Sequence, residues 1–184
     1  MESNIIRLEG EISMVDYLRD YRDVVKFMEC CRACGSFSKR WHCPPIAPEF
    51  EIDFSRYEHV RIIGYKIIPE TPAMAVETPG NVFTLARELL LVPAKRLGNE
   101  LLRLERELGG RAMGLAQLDN CLCPEGCTRP DGLPCRHPEL VRPALEAYGF
   151  NVAKTAAKLL GLDLLWCKDD RLPEYLALVG AVCY

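Results

Sequence analysis

The stretch that most constrains this 184-residue chain is residues 121–138, CLCPEGCTRPDGLPCRHP. Four cysteines, Cys121, Cys123, Cys127 and Cys135, fall within fifteen residues, among Pro124, Pro130, Pro134, Pro138 and two glycines. Proline removes a backbone donor and fixes φ, so the segment can neither continue a helix nor form a central strand. It must be an irregular loop, and it has no apolar periodicity with which to fix its own shape. A metal bound by thiolates supplies folding energy that such a loop otherwise lacks. The competing reading, a turn-rich surface loop with incidental cysteines, fits the cysteine arithmetic poorly.

A second thiol group lies in residues 30–48, which open with CCRACGSFSKRWHCPP. Cys31 and Cys34 form a C-x2-C pair, a turn that lets two sulfurs converge, and Cys43 follows after eight intervening residues. Cys30 adjoins Cys31, so both cannot readily face one centre, and Cys30 is the expected bystander. The Cys43-Pro44 step matches the one that closes the last ligand position in bacterial ferredoxins.

All-thiolate sets suit zinc, copper(I) or iron–sulfur clusters. The two patterns here, C-x2-C-x8-C and C-x-C-x3-C-x7-C, are lopsided. Zinc needs four donors converging on one point, whereas a cluster takes its ligands on different irons and tolerates irregular spacing. The expected cofactor is therefore one or two iron–sulfur clusters of the [4Fe-4S] type, with structural zinc as the alternative. The expected ligands are Cys31, Cys34 and Cys43 for one centre, and Cys121, Cys123, Cys127 and Cys135 for the other.

Composition excludes several function classes. A net charge of −3 argues against a nucleic-acid or anionic-membrane surface. No 18-residue apolar run predicts a membrane span. The N-terminal MESNIIRLEG lacks the basic and apolar regions of a signal peptide. Ten cysteines without an export signal belong in a reducing compartment, expected to be the cytoplasm, where clustered thiols serve as metal ligands or catalytic groups.

Along the chain, residues 4–9 read as a short strand and a helical stretch begins near Ser13. Periodicity does not decide whether 13–30 is one helix or a helix and a strand. Residues 59–68, HVRIIGYKII, read as a buried strand. Residues 69–80 read as a loop, and 81–108 as a helix with Leu97, Leu101, Leu104 and Leu108 on one face and a kink or split at Pro93. Residues 111–118 read as a strand entering the cysteine loop.

Beyond that loop, a helix is expected from Pro138 to Tyr148, ending at Gly149, and another from an Asn151 cap to Gly161. The runs LDLLWC and YLALVGAVCY read as a terminal hairpin around KDDRLPE. The predicted class is α/β or α+β, a small mixed sheet with flanking helices in a single domain, 1–184, that carries two cysteine loops.

Arg32, Lys39, Arg40, Arg129, Arg136, His137 and Arg142 lie near the proposed ligands and could offset a cluster's negative charge, or simply be solvated. The helix expected at Pro138 would aim its positive end at Cys135. His137 is expected to hold or cap a ligand, and His42 and His59 to be ordinary polar residues. Trp41 reads as a shield for the first site or a core aromatic, and Cys167 and Cys183 as small core hydrophobes in apolar strands.

The chain resembles the family of predicted metal-binding proteins called domain of unknown function 2284. The resemblance rests on Cys31 and Cys34, WHCPP from Trp41 to Pro45, the loop from Cys127 to Cys135, CRHP ending at Pro138, and RPALEAYGFNV from Arg142 to Val152. It implies a cysteine-bound metal centre of iron–sulfur type and no established reaction. In the family pattern the second group is C-x2-C-x2-C, which would put cysteines at 121, 124 and 127; here position 124 is proline and the middle thiol is Cys123.

Three function classes follow. The first is an electron carrier or redox protein with fully ligated clusters, acting on a redox partner. The second is an enzyme in which a three-thiolate cluster at the first group leaves one iron open to a small molecule. The third is a zinc-stabilised binding module.

Overall fold

The computed structural model describes residues 4–69, 82–114, 123 and 125–184. Among them, strands β1 (Asn4–Ser13), β2 (His59–Ile68), β3 (Arg111–Met113) and β4 (Leu176–Cys183) form one sheet in the order β1-β2-β4-β3. The class is α+β. Every pairing between these strands is antiparallel, where a mixed sheet was expected.

Both central strands bury both faces, so they read as apolar runs rather than alternating ones. On one face Ile63, Tyr65 and Ile67 of β2 and Leu176, Leu178 and Val182 of β4 pack against helix α3 (Val82–Leu108). Leu97, Leu101 and Leu104 of α3 are buried in that cluster, and Leu108 packs at its edge. Pro93 is buried within α3, which runs on through it without splitting.

The opposite face carries Val60, Ile62, Val179, Ala181 and Cys183. It packs against helices α1 (Met14–Tyr21) and α4 (Val152–Leu160) and the aromatic side chains Phe54, Tyr148 and Phe150. The close approach of α4 requires glycine at position 10, where a Cβ would sit 2.4 Å from the Leu159 carbonyl oxygen.

The stretch 13–30 resolves into two helices, α1 and α2 (Val24–Arg32). Each begins on a side-chain cap: Ser13 accepts from the Asp16 N–H and Asp23 from the Lys26 N–H. β1 runs four residues further than expected because it pairs with β2 along its whole length. α4 has the Asn151 cap and left-handed Gly161 that its sequence predicts. The loop expected at 69–80 falls largely outside the described residues, as do positions 115–118 of the predicted third strand.

Two expected elements are absent among the described residues. Residues 138–144 are turns and extended chain rather than a helix, and only a 3₁₀ turn, Leu145–Tyr148, follows before left-handed Gly149. Pro143 accounts for this, since inside a helix it would remove a hydrogen bond and strike the carbonyl of Glu139. The helix N-terminus expected at Pro138 to face Cys135 is therefore not formed. The terminal hairpin is also missing: residues 162–167 form no strand, and Trp166 is exposed. β4 pairs with β2 along one side and with β3 at Ala181–Cys183 on the other, and residues 162–167 do not join the sheet beside it. Cys183 lies in the core on β4, whereas Cys167 packs at the edge of the other cluster without belonging to a strand.

Candidate metal centre

Cys30 and Cys31 lie in the last turn of α2, and a succession of turns carries the chain on to Cys43. The Cys34 N–H donates to the Cys31 carbonyl (3.0 Å), Phe37 N–H to Cys34 (3.1 Å), and Cys43 N–H to Arg40 (3.0 Å). Ser38, at φ 60°, closes the loop by donating its N–H to the Pro44 carbonyl (2.9 Å). The thiols end up close enough for their charges to act on one another. Burial pushes the Cys43 thiol up to about 11, with the Cys34 and Cys31 charges adding to it. Burial also raises Cys31, followed by Glu146, Cys34 and Cys30. Cys34 and Cys30 are exposed.

The second loop is built similarly from tight turns. Gly126 N–H donates to the Cys123 carbonyl (3.1 Å), and Leu133 N–H to Thr128 (3.2 Å). The His137 N–H lies 3.4 Å from Cys135 Sγ, so His137 does support a thiol, though through its backbone. Burial raises the Cys135 thiol against that hydrogen bond, and the Cys127 and Cys123 charges raise it further. Cys123, Cys127 and Cys135 are thus neighbours, while Cys121 lies outside the described residues. Among the described residues no three His, Cys, Asp or Glu side chains converge tightly enough to hold a single metal ion.

What the sequence does not reveal is how the two loops join. Arg129, expected as one of several charges beside the ligands, reaches across from the second loop to the first. Its Nη1 donates to the carbonyls of Arg40 (2.7 Å) and Cys43 (2.5 Å), and its Nη2 to that of Pro45. Its guanidinium also lies over the Trp41 ring, 5.1 Å from the centroid. The Trp41 Nε1–H donates to Thr128 Oγ1 (3.2 Å), and the buried Thr128 hydroxyl donates to the Pro134 carbonyl (2.8 Å). Trp41 therefore seals the seam between the loops, and its ring meets Phe50 edge-on.

Of the other basic residues, Arg142 forms a bidentate pair with Glu105 of α3 (Nε to Oε2 2.7 Å), and Arg136 donates to the Gly126 carbonyl (3.1 Å). Arg32 occupies the last turn of α2, where a cation offsets the helix's negative end.

His42 departs furthest from its expected role. It is 2% exposed, and its Nε2 has no hydrogen-bond partner. Leaving such an atom unsatisfied costs about 1–3 kcal/mol. Burial, with Arg40 and Arg129 nearby, pushes the imidazole down to about 4, so it is neutral at pH 7. His42 lines a cavity of about 760 Å³ together with Cys123, Cys127, Cys135 and His137, and α3 supplies Leu101 and Leu102 to its far wall. Glu146 was also not anticipated: burial raises its carboxyl, and its charge bears on Cys31 more than either neighbouring thiol does.

These observations accompany a direct match. The family model described as a predicted metal-binding protein, DUF2284, covers residues 20–183. The chain belongs to that family. No curated protein and no solved structure matches it. The metal-binding description fits the donors present: two sets of neighbouring thiols and a buried imidazole nitrogen with nothing to bond. Burial raises the thiols of Cys31, Cys43 and Cys135, so a metal bound by these three would have to drive them to ionise and would release protons. Among the described residues, no helix is long and apolar enough to cross a membrane.

Proposed function

We propose that this DUF2284 protein is an iron–sulfur protein of the [4Fe-4S] kind that acts in electron transfer or redox chemistry. Cys31, Cys34 and Cys43 would hold one centre, and the thiolates of Cys121, Cys123, Cys127 and Cys135 would serve the other. When bound, such clusters supply one-electron redox chemistry, tuned by hydrogen bonds to sulfur and by solvent exposure.

The observation that carries this reading is the pattern of gathering. Within each set the thiols are near enough to feel one another's charge, yet among the described residues they do not close on one point. Ligands spread over several irons need that looser arrangement, whereas a single zinc needs tight tetrahedral convergence. The Arg129 clamp brings the two loops side by side and places a cation between them, which suits a redox unit with two negatively charged centres.

A second reading, an enzyme acting on a small molecule, is favoured by the cavity. It opens at the second group rather than at the three-thiol first group where the spacing suggested an open position.

The test is reductive titration of anaerobically purified protein followed by electron paramagnetic resonance. The expected result is one or two half-spin signals appearing on reduction. A protein that holds stoichiometric zinc and gives no signal would replace this reading with the zinc-stabilised module.

A further inference from the structure

Helix α3 turns two faces to different surroundings. Leu90, Leu97, Leu101 and Leu104 are buried against the sheet. Leu91, Lys95, Gly98, Asn99 and Leu102 fall at i, i+4, i+7, i+8 and i+11, a second stripe, and all five line the cavity of about 760 Å³. That volume lies in the range of sites that enclose a small organic molecule. Leu91, Val92 and Leu140 line the cavity and yet are exposed. Apolar side chains gathered round a concavity, rather than scattered singly, mark a surface that something apolar covers. Gly98 points the same way. After proline, glycine is the least favourable residue inside a helix. The fold does not need one at position 98, where a Cβ would meet no atom within 4 Å. The room there serves whatever lies against the α3 backbone from the cavity side.

The charges of the lining are of one sign. Among the described residues it holds Lys95, Arg96 and Arg142 and no carboxylate. Glu105 already neutralises Arg142, and the Arg96 guanidinium lies over the Tyr65 ring, 5.9 Å from its centroid. Lys95 forms no ion pair among the described residues. One ammonium without an acidic partner suits a single negative charge. We infer that this cavity binds a small carboxylic acid with an apolar body, its apolar part against Leu102, Leu140 and the bare backbone at Gly98, and its carboxylate beside Lys95. The ligand shares the cavity with Cys123, Cys127 and Cys135, so it is held next to the second thiol group. The inference rests on the small-molecule reading of the cavity and needs neither a metal nor a reaction there.

The experiment is calorimetric titration of the full-length, anaerobically purified protein with octanoate and, in parallel, with octanol, the same chain without the charge. Octanoate is expected to bind at one site, about fivefold tighter than octanol, as one solvent-screened ion pair allows. Lys95→Gln should erase that preference and leave octanol binding unchanged. Gly98→Leu should abolish binding of both, with a thermal midpoint unchanged or higher because leucine favours the helix. An octanoate carrying a diazirine should label residues 91–102 and 137–142. Equal affinity for octanol and octanoate in the wild-type protein overturns the carboxylate and leaves a small-molecule cavity. Binding of neither overturns both. Undiminished octanoate binding in folded Gly98→Leu, or labelling elsewhere, also overturns the inference. Brown protein that takes up no octanoate would sink it and leave the iron–sulfur reading standing.

Discussion

Strands β2 and β4 bury side chains on both faces against α3 on one side and α1, α4 and an aromatic cluster on the other. Residues 125–142 bury only Thr128, although they contain two of the proposed ligands. The sheet half has apolar area to offset the entropy of ordering its chain. The cysteine half relies on tight turns, the Arg129 clamp and the Trp41–Thr128 hydrogen bond, and on the proposed reading a bound metal would supply much of the remaining stabilisation. That reading makes the sheet core independent of the metal and the cysteine layer dependent on it.

Removing the metal should separate the halves most sharply. After anaerobic chelation, hydrogen exchange at residues 34–43 and 126–141 should rise to near-unprotected rates, while amides of β2 and β4 keep their protection. Equal loss in both halves would show that the core depends on the metal as well. At the level of single residues, Cys127→Ser or Cys135→Ser should lose metal and open the second loop to protease. Cys183→Ser, buried in the core, should leave metal content unchanged.

Leu97→Ala addresses the other side of the comparison. This side chain is fully buried between α3 and the sheet, so its truncation should cost about 3 kcal/mol in denaturant unfolding. Metal content per folded molecule should not change. Arg129→Ala should act oppositely, costing about 2 kcal/mol through three lost carbonyl contacts and loosening metal retention, with β2 and β4 exchange unaltered.

The smallest effect expected concerns the Glu105–Arg142 pair, which ties α3 to the segment after the second loop. Burial opposes ionisation of Glu105, but hydrogen bonds from Arg142 and the Ala112 N–H outweigh it and hold its carboxyl below the usual range. A depressed carboxylate stabilises the fold fully above its unfolded value, near ~4.3, and that contribution is lost as pH falls through the folded value. Glu105→Gln should therefore lower stability at neutral pH and flatten the acid limb of the profile. An unchanged acid limb would show that the pair contributes nothing.

The difference between the halves also decides what could be read in the sequence. β2, α3 and α4 were legible because apolar periodicity and caps are local signals. The Leu97–Leu101–Leu104 stripe and the Asn151 cap need no knowledge of the rest of the chain. The helix expected from Pro138 failed on Pro143, a local signal overlooked beside a good start and stop. The terminal hairpin failed for a non-local reason, since the partner of β4 is the distant strand β2 rather than the neighbouring apolar run. The thiols themselves were legible as types and spacings. Their setting was not: Arg129 bonds to carbonyls more than eighty residues away, and the burial of His42 follows from two loops packing together. Nothing in WHCPP alone distinguishes an orphaned imidazole from a surface one.

Iron and acid-labile sulfide quantified on anaerobically purified protein, together with its visible spectrum, test the central claim most directly. The account predicts brown protein with broad absorption near ~400 nm from sulfur-to-iron charge transfer, and iron and sulfide in near-equal amounts. Colourless protein with stoichiometric zinc and no sulfide would contradict it.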